Sequence, residues 1–325
     1  MKKKVLITGI TGQDGSYLSE YLLKNNYEVY GIIRRNSIVE HQRNRIEQLD
    51  NQINLEYGDL LDTSSLDRIF KSVKPDEIYN LAAQSHVRIS FEIPHFTLQT
   101  NGLGVLNMLE SFRAHSPNSK FYQASSSEMF GRSVDNDNCQ RETTPFEPTS
   151  PYGCAKVLAF NLVKHYRFAY SLFCSNGILF NHESPRRGSN FVTNKVVKTA
   201  VEIKLGLKDK LILGNMDSYR DWGHSKDYVV AMNKILNHNQ PDDFVISTGI
   251  TRSVRDLCKY VFTKLDLEMK KYIFQDKKYM RPEELKYLKG DSSKAKKLLN
   301  WKPQISFEEL IDEMIDHWMD IFSSN

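Results

Sequence analysis

"KKVLITGITGQDGSYLSEYLLKNNYEVYGII", residues 3–33, decides the fold of this chain. The apolar, β-rich run "KKVLITGI" predicts a strand, and the apolar spacing of "SYLSEYLLKNN" predicts a helix. A second strand, "YEVYGII", follows. Gly9, Gly12 and Gly15 lie at the turn between the first strand and the helix. The stretch therefore predicts a βαβ unit whose glycines form the strand-to-helix turn.

The same alternation continues along the chain. "LDTSSLDRIFKSVKP" and "GVLNMLESFRAH" have helical patterns, whereas "DEIYNLAA" and "KFYQASS" are typical of strands. Alternating β and α segments predict a doubly wound parallel α/β sheet of the Rossmann type. A chain of 325 residues suggests one large α/β unit with an appended lobe.

Composition excludes several classes of protein. A net charge of +4 is small for this length and does not indicate a nucleic-acid or membrane surface. After the basic start "MKKK", the run "VLITGI" is too short for an export signal, and no apolar run reaches the ~18 residues of a membrane span. The four cysteines are scattered, without zinc-site or disulfide spacing. We therefore expect a cytoplasmic protein with no metal.

The glycine turn "GITGQDG" is the first motif with chemical meaning. Its Gly-x-x-Gly-x-x-Gly spacing lets the backbone approach a pyrophosphate, and the helix that follows supplies amide donors and a favourable dipole. An ordinary turn with three glycines is the alternative, but the position between strand and helix favours a dinucleotide site. The cofactor-binding residues expected here are Gly9, Thr11, Gly12, Gln13, Asp14 and Gly15.

The end of the second strand indicates which dinucleotide binds. In place of an acidic residue for the ribose hydroxyls, "GIIRRNS" has Arg34 and Arg35, which suit a 2′-phosphate and favour NADP over NAD. A solvated basic pair is the alternative. "GDL" and "NLAAQS" follow further strands and are expected over the cofactor, although both could be strand ends without a ligand. These segments contribute Asp59, Leu60, Leu81, Ala82, Ala83 and Ser85.

A serine cluster and a Tyr-x-x-x-Lys pair predict the catalytic groups. Tyr152 and Lys156, in "SPYGCAK", lie one helical turn apart. A cationic lysine favours the phenolate and should lower the pKa of the tyrosine. Ser126, in "FYQASSSEMFG", can complete a Ser-Tyr-Lys arrangement. Tyr-x-x-x-Lys alone is a weak signal, but it gains weight from following the glycine turn and the serine cluster in this order.

The chain resembles the extended short-chain dehydrogenases/reductases, and within them the GDP-mannose 4,6-dehydratase family. The resemblance covers nearly the whole length. The glycine turn is common to the superfamily, whereas "NHESPRRG" and "RDWGHSKDYV" are particular to these dehydratases. The resemblance implies NADP as cofactor, conversion of GDP-mannose or a closely related GDP-sugar, and Glu128 as a second base that removes the proton at carbon 5. The family usually has threonine at the position of Ser126.

The resemblance also implies a substrate site and an assembly. It places Arg220 and Arg281 on the diphosphate, Lys195 near the base and Glu284 on the nucleoside ribose, with Asn181 and Ser85 as further contacts. Residues 1–180 then form the NADP-binding domain, with about 225–260 returning to it, and 181–325 mainly form a discontinuous nucleotide-sugar lobe. A homodimer or homotetramer is expected. The helix carrying Tyr152 and the helix before it should form the dimer interface.

Two departures from the family leave alternatives open. "RRNSIVEHQRNRIEQL" lacks the family's serine-rich loop, which makes a tetramer less secure than a dimer. Arg88, near the expected sugar pocket, stands where small or apolar residues are usual and raises GDP-manno-heptose as an alternative substrate. An epimerase or reductase of the same fold is disfavoured because it would leave Glu128 without a role. A non-catalytic nucleotide-sugar-binding protein would not need all four catalytic groups.

Overall fold

A computed structural model describes residues 2–35 and 43–323, and its centre is a parallel sheet of seven strands. The strands of this sheet are β1 (Lys4–Thr8), β2 (Glu28–Ile33), β3 (Ile53–Tyr57), β4 (Glu77–Asn80), β5 (Lys120–Ser126), β6 (Phe173–Leu179) and β10 (Asp243–Ile246). Their order is β10-β6-β5-β4-β1-β2-β3. The direction of winding reverses between β1 and β4, and ligands bind at the carboxyl ends of strands beside such a reversal.

Helices cover both faces of the sheet, which confirms the predicted doubly wound α/β fold. The helices are α1 (Gln13–Lys24), α2 (Thr63–Val73), α3 (Val87–Glu92), α4 (Pro94–Leu98), α5 (Gly104–His115), α6 (Pro151–Ala169), α7 (Val192–Lys204), α8 (Ser225–Leu236), α9 (Val254–Lys264), α10 (Met269–Tyr272), α11 (Ser293–Leu299) and α12 (Phe307–Ser323). None of the helices in the described part of the chain has both the length and the apolar composition needed to cross a membrane.

Successive side chains of each strand point to opposite faces, so the sheet has a core on each side. On one side, Ile7 of β1 and Tyr122 of β5 pack with residues of α1 and α8. On the other side, Leu6 and Phe121 pack with residues of α2, α5 and α6. Burial on both faces explains why the strand sequences are nearly continuous apolar runs.

A second, smaller lobe has a core of its own. Its strands are β7 (Asn181–Glu183), β8 (Leu211–Leu213), β9 (Tyr219–His224), β11 (Thr251–Ser253) and β12 (Ile273–Gln275), which form the sheets β11-β9-β7 and β12-β8. The core packs residues of α7, α9 and α12 around Trp222 of β9. These elements come from three separated stretches of the chain, 181–224, 251–275 and 307–323.

Segments after residue 181 also return to the main sheet. Helix α8 packs on α1, and β10 extends the sheet beside β6. Residues after α11 are tied to α8 by Asp227, whose main-chain oxygen accepts the indole N–H of Trp301 at 2.9 Å. Its carboxylate accepts the amides of Gln304 and Ile305 at 2.8 and 2.9 Å. The chain therefore passes repeatedly between the two lobes, and the cleft between them is lined by both.

Candidate active site

The glycine turn connects β1 to α1 at the carboxyl edge of the sheet. Gly9 has a φ of +70°, and a Cβ on Gly15 would lie 2.4 Å from the carbonyl oxygen of Gly9. No side chain fits at Gly15, so glycine is required there for the start of α1 to pack closely on the turn. The hydroxyl of Thr8 accepts the amides of Leu81 and Ala82 at 3.1 and 3.0 Å, which joins this turn to the end of β4.

A buried ion pair fixes the turn against the second lobe. Nε2 of His182 lies 2.7 Å from a carboxylate oxygen of Asp14, and the imidazole stacks on Tyr228 with ring centroids 4.6 Å apart. Burial opposes both charges, but their mutual attraction is stronger, so the pKa of His182 is raised and the pKa of Asp14 is lowered. Gln13 adds a bond from its side-chain amide to the main-chain oxygen of His182 at 3.1 Å.

One cavity of about 760 Å³ lies between the two lobes at this edge. All four predicted catalytic residues and all six predicted substrate-binding residues line it. Asp14, Leu81 and Ala83 of the predicted cofactor set also line it. Residues separated by up to 270 positions in the sequence, from Asp14 to Glu284, thus meet at a single site of a size typical of small-molecule pockets. The individual roles of these residues remain predictions.

Strand β5 and helix α6 position the catalytic groups. Ser126 ends β5, and its hydroxyl accepts the amide of Glu128 at 3.2 Å in the 3₁₀ turn Ser127–Met129. Helix α6 begins at Pro151 and is capped by Ser150, whose hydroxyl accepts the amide of Gly153 at 3.0 Å. The first turn of α6 thereby brings Tyr152 close enough to Ser126 for this serine to favour the phenolate.

The electrostatics of Tyr152 differ from the sequence expectation. Burial raises the pKa of Tyr152 to about 12, although the hydrogen bond from Ser126 opposes this rise. Burial also lowers the pKa of Lys156 from 10.5 to about 8. The ammonium of Lys156 donates to the main-chain oxygen of Ala124 at 2.7 Å and lies 5.8 Å from the centre of the Tyr152 ring. The predicted lowering of the tyrosine pKa is therefore wrong for this arrangement, because burial is the larger effect.

Glu128 and two arginines form the opposite wall. Nη1 of Arg281 lies 3.3 Å from Oε1 of Glu128. Arg220 is buried, and burial together with the charge of Arg281 lowers its pKa to about 10. Arg220 does not pair with its neighbour Asp221, which instead accepts the amides of Thr248 and Gly249 at 2.9 Å each. Two guanidinium groups thus lie beside one carboxylate in the cavity.

The remaining predicted substrate residues have varied partners. The side-chain oxygen of Asn181 is buried and has no hydrogen-bond partner among the described residues. The ammonium of Lys195 lies 4.1 Å from the centre of the Tyr279 ring. A carboxylate oxygen of Glu284 accepts the main-chain amide of Arg281 at 2.8 Å, so Glu284 also holds the loop that carries this arginine.

Several predicted cofactor residues lie outside the cavity wall. Arg34 and Arg35 are exposed after the end of β2. Residues 36–42, which include much of the departure from the family's serine-rich loop, lie outside the described residues. The side chain of Leu60 is part of the core, which leaves only its backbone for a ligand. Asp59 accepts the amide of Leu61 at 2.9 Å.

Several residues of this cavity were not identified from the sequence, and two of them come from one motif. His182 and Arg187 both line it and both lie in "NHESPRRG", the segment from which only Asn181 was chosen. The guanidinium of Arg187 lies 3.7 Å from the centre of the Phe191 ring and pairs with Glu183 at 2.9 Å. The density of charged residues in this segment was the signal that could have identified them.

Comparison with known proteins identifies the family. The family model described as GDP-mannose 4,6 dehydratase matches residues 6–314. The chain belongs to this family. It is 48% identical to GDP-mannose 4,6 dehydratase 1 of Arabidopsis thaliana, over 98% of this chain and 91% of that protein. It is 46% identical to the GDP-mannose 4,6 dehydratase of Homo sapiens, over 98% of this chain and 92% of that protein.

A solved structure with a similar fold is the UDP-glucose 4-epimerase of Thermotoga maritima with UDP-glucose. Its TM-score is 0.86 at 24% identity, over 98% of this chain and 99% of that chain. This likeness shows the fold alone. Because an epimerase shares the fold so closely, the architecture cannot distinguish between reactions, and the assignment to the dehydratases rests on the sequence family.

Proposed function

We propose that the protein converts GDP-mannose to GDP-4-keto-6-deoxymannose by removing water, with NADP as a cofactor that is regenerated in each turnover. Family membership supports the reaction. The observation that carries the proposal is that Ser126, Glu128, Tyr152 and Lys156 line one cavity. A carboxylate beside the tyrosine supplies the second base that a dehydration needs and an epimerisation does not.

The residues around the glycine turn fit a nicotinamide dinucleotide. Gly9 and Gly15 let the turn pack closely on the backbone of Ala82 and of the turn itself, where a Cβ would clash, and the start of α1 points its amides towards the same edge of the sheet. Arg34 and Arg35 would hold a 2′-phosphate, which favours NADP over NAD. When bound, the nicotinamide accepts a hydride from carbon 4 of the sugar and returns it to carbon 6.

In the first step, Tyr152 takes the proton of the hydroxyl at carbon 4. Ser126 lies beside the phenol, favours its ionised form and would bind the same sugar oxygen. Lys156 carries its positive charge below a pH of about 8, the value of its pKa, and this charge would offset part of the burial that raises the pKa of Tyr152 to about 12. Oxidation of carbon 4 to a ketone makes the proton at carbon 5 acidic.

In the second step, Glu128 removes the carbon 5 proton. The hydroxyl at carbon 6 leaves together with the proton gained by Glu128, as water. Return of hydride to carbon 6 then requires one proton at carbon 5, which balances the proton that Tyr152 took from the hydroxyl at carbon 4, so both bases end the turnover as they began it. The carboxylate is buried, so it acts away from bulk solvent, and Oε2 has no hydrogen-bond partner within residues 2–35 and 43–323. Glu128 lines the cavity, and its unpartnered Oε2 keeps its full capacity to accept a proton from carbon.

The arginines of the opposite wall would bind the diphosphate. Arg220 and Arg281 are the two cationic groups beside Glu128, and guanidinium groups bind phosphate oxygens with paired hydrogen bonds. The unpartnered side-chain oxygen of Asn181 would accept a hydrogen bond from a sugar hydroxyl, and its side-chain nitrogen would donate to a sugar or phosphate oxygen. We place the guanosine at the end of the cavity lined by Lys195, with Glu284 on the ribose.

The proposal commits to mannose as the sugar. Arg88 lines the cavity, but its guanidinium pairs with Glu92 at 2.9 Å on the same helical face. The guanidinium of Arg88 is therefore engaged with Glu92 on α3. It does not provide a contact specific for the additional carbon of a heptose. GDP-manno-heptose is the alternative substrate, and running both sugars in the same assay separates the two.

We further propose a domain division, an assembly and a location. The sheet unit would comprise residues 1–180, 225–246 and 293–301. The nucleotide-sugar lobe would comprise the other residues from 181 onwards, in line with the two separate cores. Helix α6 exposes five residues that lie alternately four and three positions apart, which is a seven-residue repeat: Cys154, Leu158, Asn161, His165 and Phe168. This pattern suits helix pairing in a homodimer. The cysteines are free, which favours the cytoplasm.

Glu128→Gln tests the mechanism. The amide cannot accept the carbon 5 proton, so hydride transfer should continue slowly while elimination stops. We expect absorbance of reduced cofactor at the nicotinamide band and a 4-keto sugar that retains its 6-hydroxyl, detected by mass spectrometry. The unmodified protein should instead yield a product lighter by one water.

Glu147→Gln is the matched control, because it makes the same chemical change at an exposed carboxylate. It should dehydrate GDP-mannose at the rate of the unmodified protein. Unimpaired dehydration by the Glu128 variant would remove this residue from the mechanism. No lighter product from the unmodified protein with either GDP-sugar would overturn the proposed reaction.

A further inference from the structure

The side chain of Arg281 contacts the proposed base, Glu128, across the cleft. Its guanidinium lies 3.3 Å from Oε1 of Glu128, the proposed base, although the two residues are 153 positions apart. The contact spans the cleft, since Glu128 follows a strand of the main sheet and Arg281 lies in the loop after the 3₁₀ turn Lys277–Tyr279. The side chain of Glu128 is 8% exposed and that of Arg281 is 23% exposed.

The contact between them is long for an ion pair. Charge-assisted N–H···O bonds usually measure about 2.7–2.9 Å and are often bidentate when they involve arginine. Here one nitrogen meets one oxygen at 3.3 Å, and the second oxygen of Glu128 has no partner among the described residues. A stronger anion can therefore take the guanidinium from Glu128 at small expense.

The position of Arg281 favours such an exchange. Its main-chain amide is held by Glu284 at 2.8 Å, so the backbone is anchored while the side chain extends into the cavity. The buried Arg220 lies near enough for the charge of Arg281 to disfavour its protonation. The cavity as a whole carries an excess of positive charge, because eight lysines and arginines line it against four aspartates and glutamates among the described residues, and a diphosphate would neutralise part of this excess.

We infer that Arg281 alternates between Glu128 and the diphosphate of the substrate. This inference rests on the proposed function of the site. Without a nucleotide, Arg281 holds the carboxylate of Glu128, and an arriving diphosphate draws the guanidinium away and leaves the base free for carbon 5. Arg281 is thus a positioning residue for Glu128 as well as a phosphate ligand. Substrate binding and the release of the base become a single event.

The exchange has a thermodynamic consequence that binding alone can measure. If the diphosphate must displace Glu128 from Arg281, then Glu128 weakens nucleotide binding, and by linkage its removal strengthens it. Glu128→Gln should therefore lower the Kd of GDP by about fivefold, which corresponds to about 1 kcal/mol. In the background of Arg281→Gln the same change should alter the Kd by less than about twofold, since no competition remains.

Isothermal titration of GDP into the protein with saturating NADP⁺ tests the inference in a double-mutant cycle. The variants are Glu128→Gln, Arg281→Gln and their combination, together with Arg220→Gln and its combination with Glu128→Gln. Arg220 is the matched control, because it is also a guanidinium near Glu128, but among the described residues its hydrogen bond goes to the main-chain oxygen of Tyr219 and not to Glu128. In its background the fivefold gain from Glu128→Gln should persist. Thermal melts of each variant check that it is folded.

Each outcome decides between exchange and its alternatives. An equal gain from Glu128→Gln with and without Arg281 would show simple repulsion between the carboxylate and the diphosphate, and it would overturn the exchange. No gain in the unmodified background would also overturn it. If Arg281→Gln left the Kd of GDP unchanged, both the exchange and its phosphate role would fall. The dehydratase proposal would still stand or fall on the mass of the sugar product.

Discussion

Replacing Lys156 by methionine should make the protein more stable at neutral pH while abolishing its activity. The ammonium is buried, with 4% of the residue exposed, and burial lowers its pKa from 10.5 to about 8. A pKa lowered by burial means that the folded protein holds this charge at a loss of free energy. Methionine has a similar length and no charge, so it can occupy the same space on the inner face of α6.

The magnitude follows from the pKa and from one hydrogen bond. The change from 10.5 to about 8 corresponds to about 3 kcal/mol of destabilisation when Lys156 is charged. Methionine also loses the bond from the ammonium to the main-chain oxygen of Ala124, at 2.7 Å, and leaves that acceptor unpaired. This loss is worth about 1–2 kcal/mol. The net expectation at pH 7 is a gain of about 1–2 kcal/mol in the free energy of unfolding.

The pH dependence gives a sharper check. Above a pH of about 8 the folded protein releases the proton of Lys156, whereas the unfolded chain keeps it up to the ordinary value of 10.5. The unfolded state then binds more protons, so the stability of the unmodified protein rises with pH through this window. The advantage of the methionine variant should shrink by about 2 kcal/mol between pH 7 and about 9.5. Above a pH of about 10.5 only the lost hydrogen bond remains, and the sign reverses.

Urea unfolding of cofactor-stripped protein, followed by far-UV circular dichroism at several pH values, measures both effects. Lys164→Met is the matched control, because Lys164 is on the same helix and is partly exposed. It should change the free energy of unfolding by less than about 0.5 kcal/mol. If Lys156→Met were less stable at pH 7, with a deficit that did not change up to pH 9.5, the argument from burial would be refuted.

Two further predictions concern cofactor choice and the core. Arg34→Ala should lose most of the preference for NADP over NAD, since it removes one of the two guanidinium groups expected beside the 2′-phosphate. The Kd values of both dinucleotides measure this preference. Equal Kd values for the unmodified protein would contradict the assignment. Asp243→Ala should destabilise the fold by about 3–5 kcal/mol, because it leaves the buried Arg167 without its carboxylate partner. In urea unfolding, the double change Arg167→Met and Asp243→Leu should recover most of that loss; equal losses would rule out the ion pair as the cause.

Local sequence patterns were sufficient to predict the main sheet. The predicted helix "GVLNMLESFRAH" coincides with α5, and the predicted strand "KFYQASS" coincides with β5. These segments bury their apolar residues against neighbours in the same repeating layers, so pattern and structure agree. The carboxyl edge of a parallel sheet then placed the serine cluster and the glycine turn at one site.

The segment between residues 87 and 103 could not be predicted in this way. It forms α3, α4 and the π-helical turn Gln99–Leu103, which is held by Gln84 and Asn101. The amide of Gln84 donates to the side chain of Asn101 at 2.8 Å, and the side chain of Asn101 donates back to the main-chain oxygen of Gln84 at 2.9 Å. Such a reciprocal bond across seventeen positions leaves no periodic signal in the sequence.

The pairing of charged residues was also beyond the sequence. Arg220 and Asp221 are adjacent and opposite in charge, but successive residues of a strand point to opposite faces. Arg220 faces the cavity, whereas Asp221 accepts amides of Thr248, Gly249 and Gly290 and joins the two lobes. Alternation along β9 thus separates a ligand-binding charge from a structural one, and only the three-dimensional neighbours reveal which is which.

Strand β5 explains how the fold tolerates a buried ammonium beside a buried phenol. Its first half buries Phe121 and Tyr122 on opposite faces, and its pairing with β4 and β6 fixes the backbone as far as Ser126. The main-chain oxygen of Ala124 that accepts from Lys156 belongs to this fixed backbone. A rigid acceptor limits the destabilisation by the charge, since it need not be reorganised when the charge is buried. The strand therefore stabilises the catalytic groups through the same residues that form the two cores.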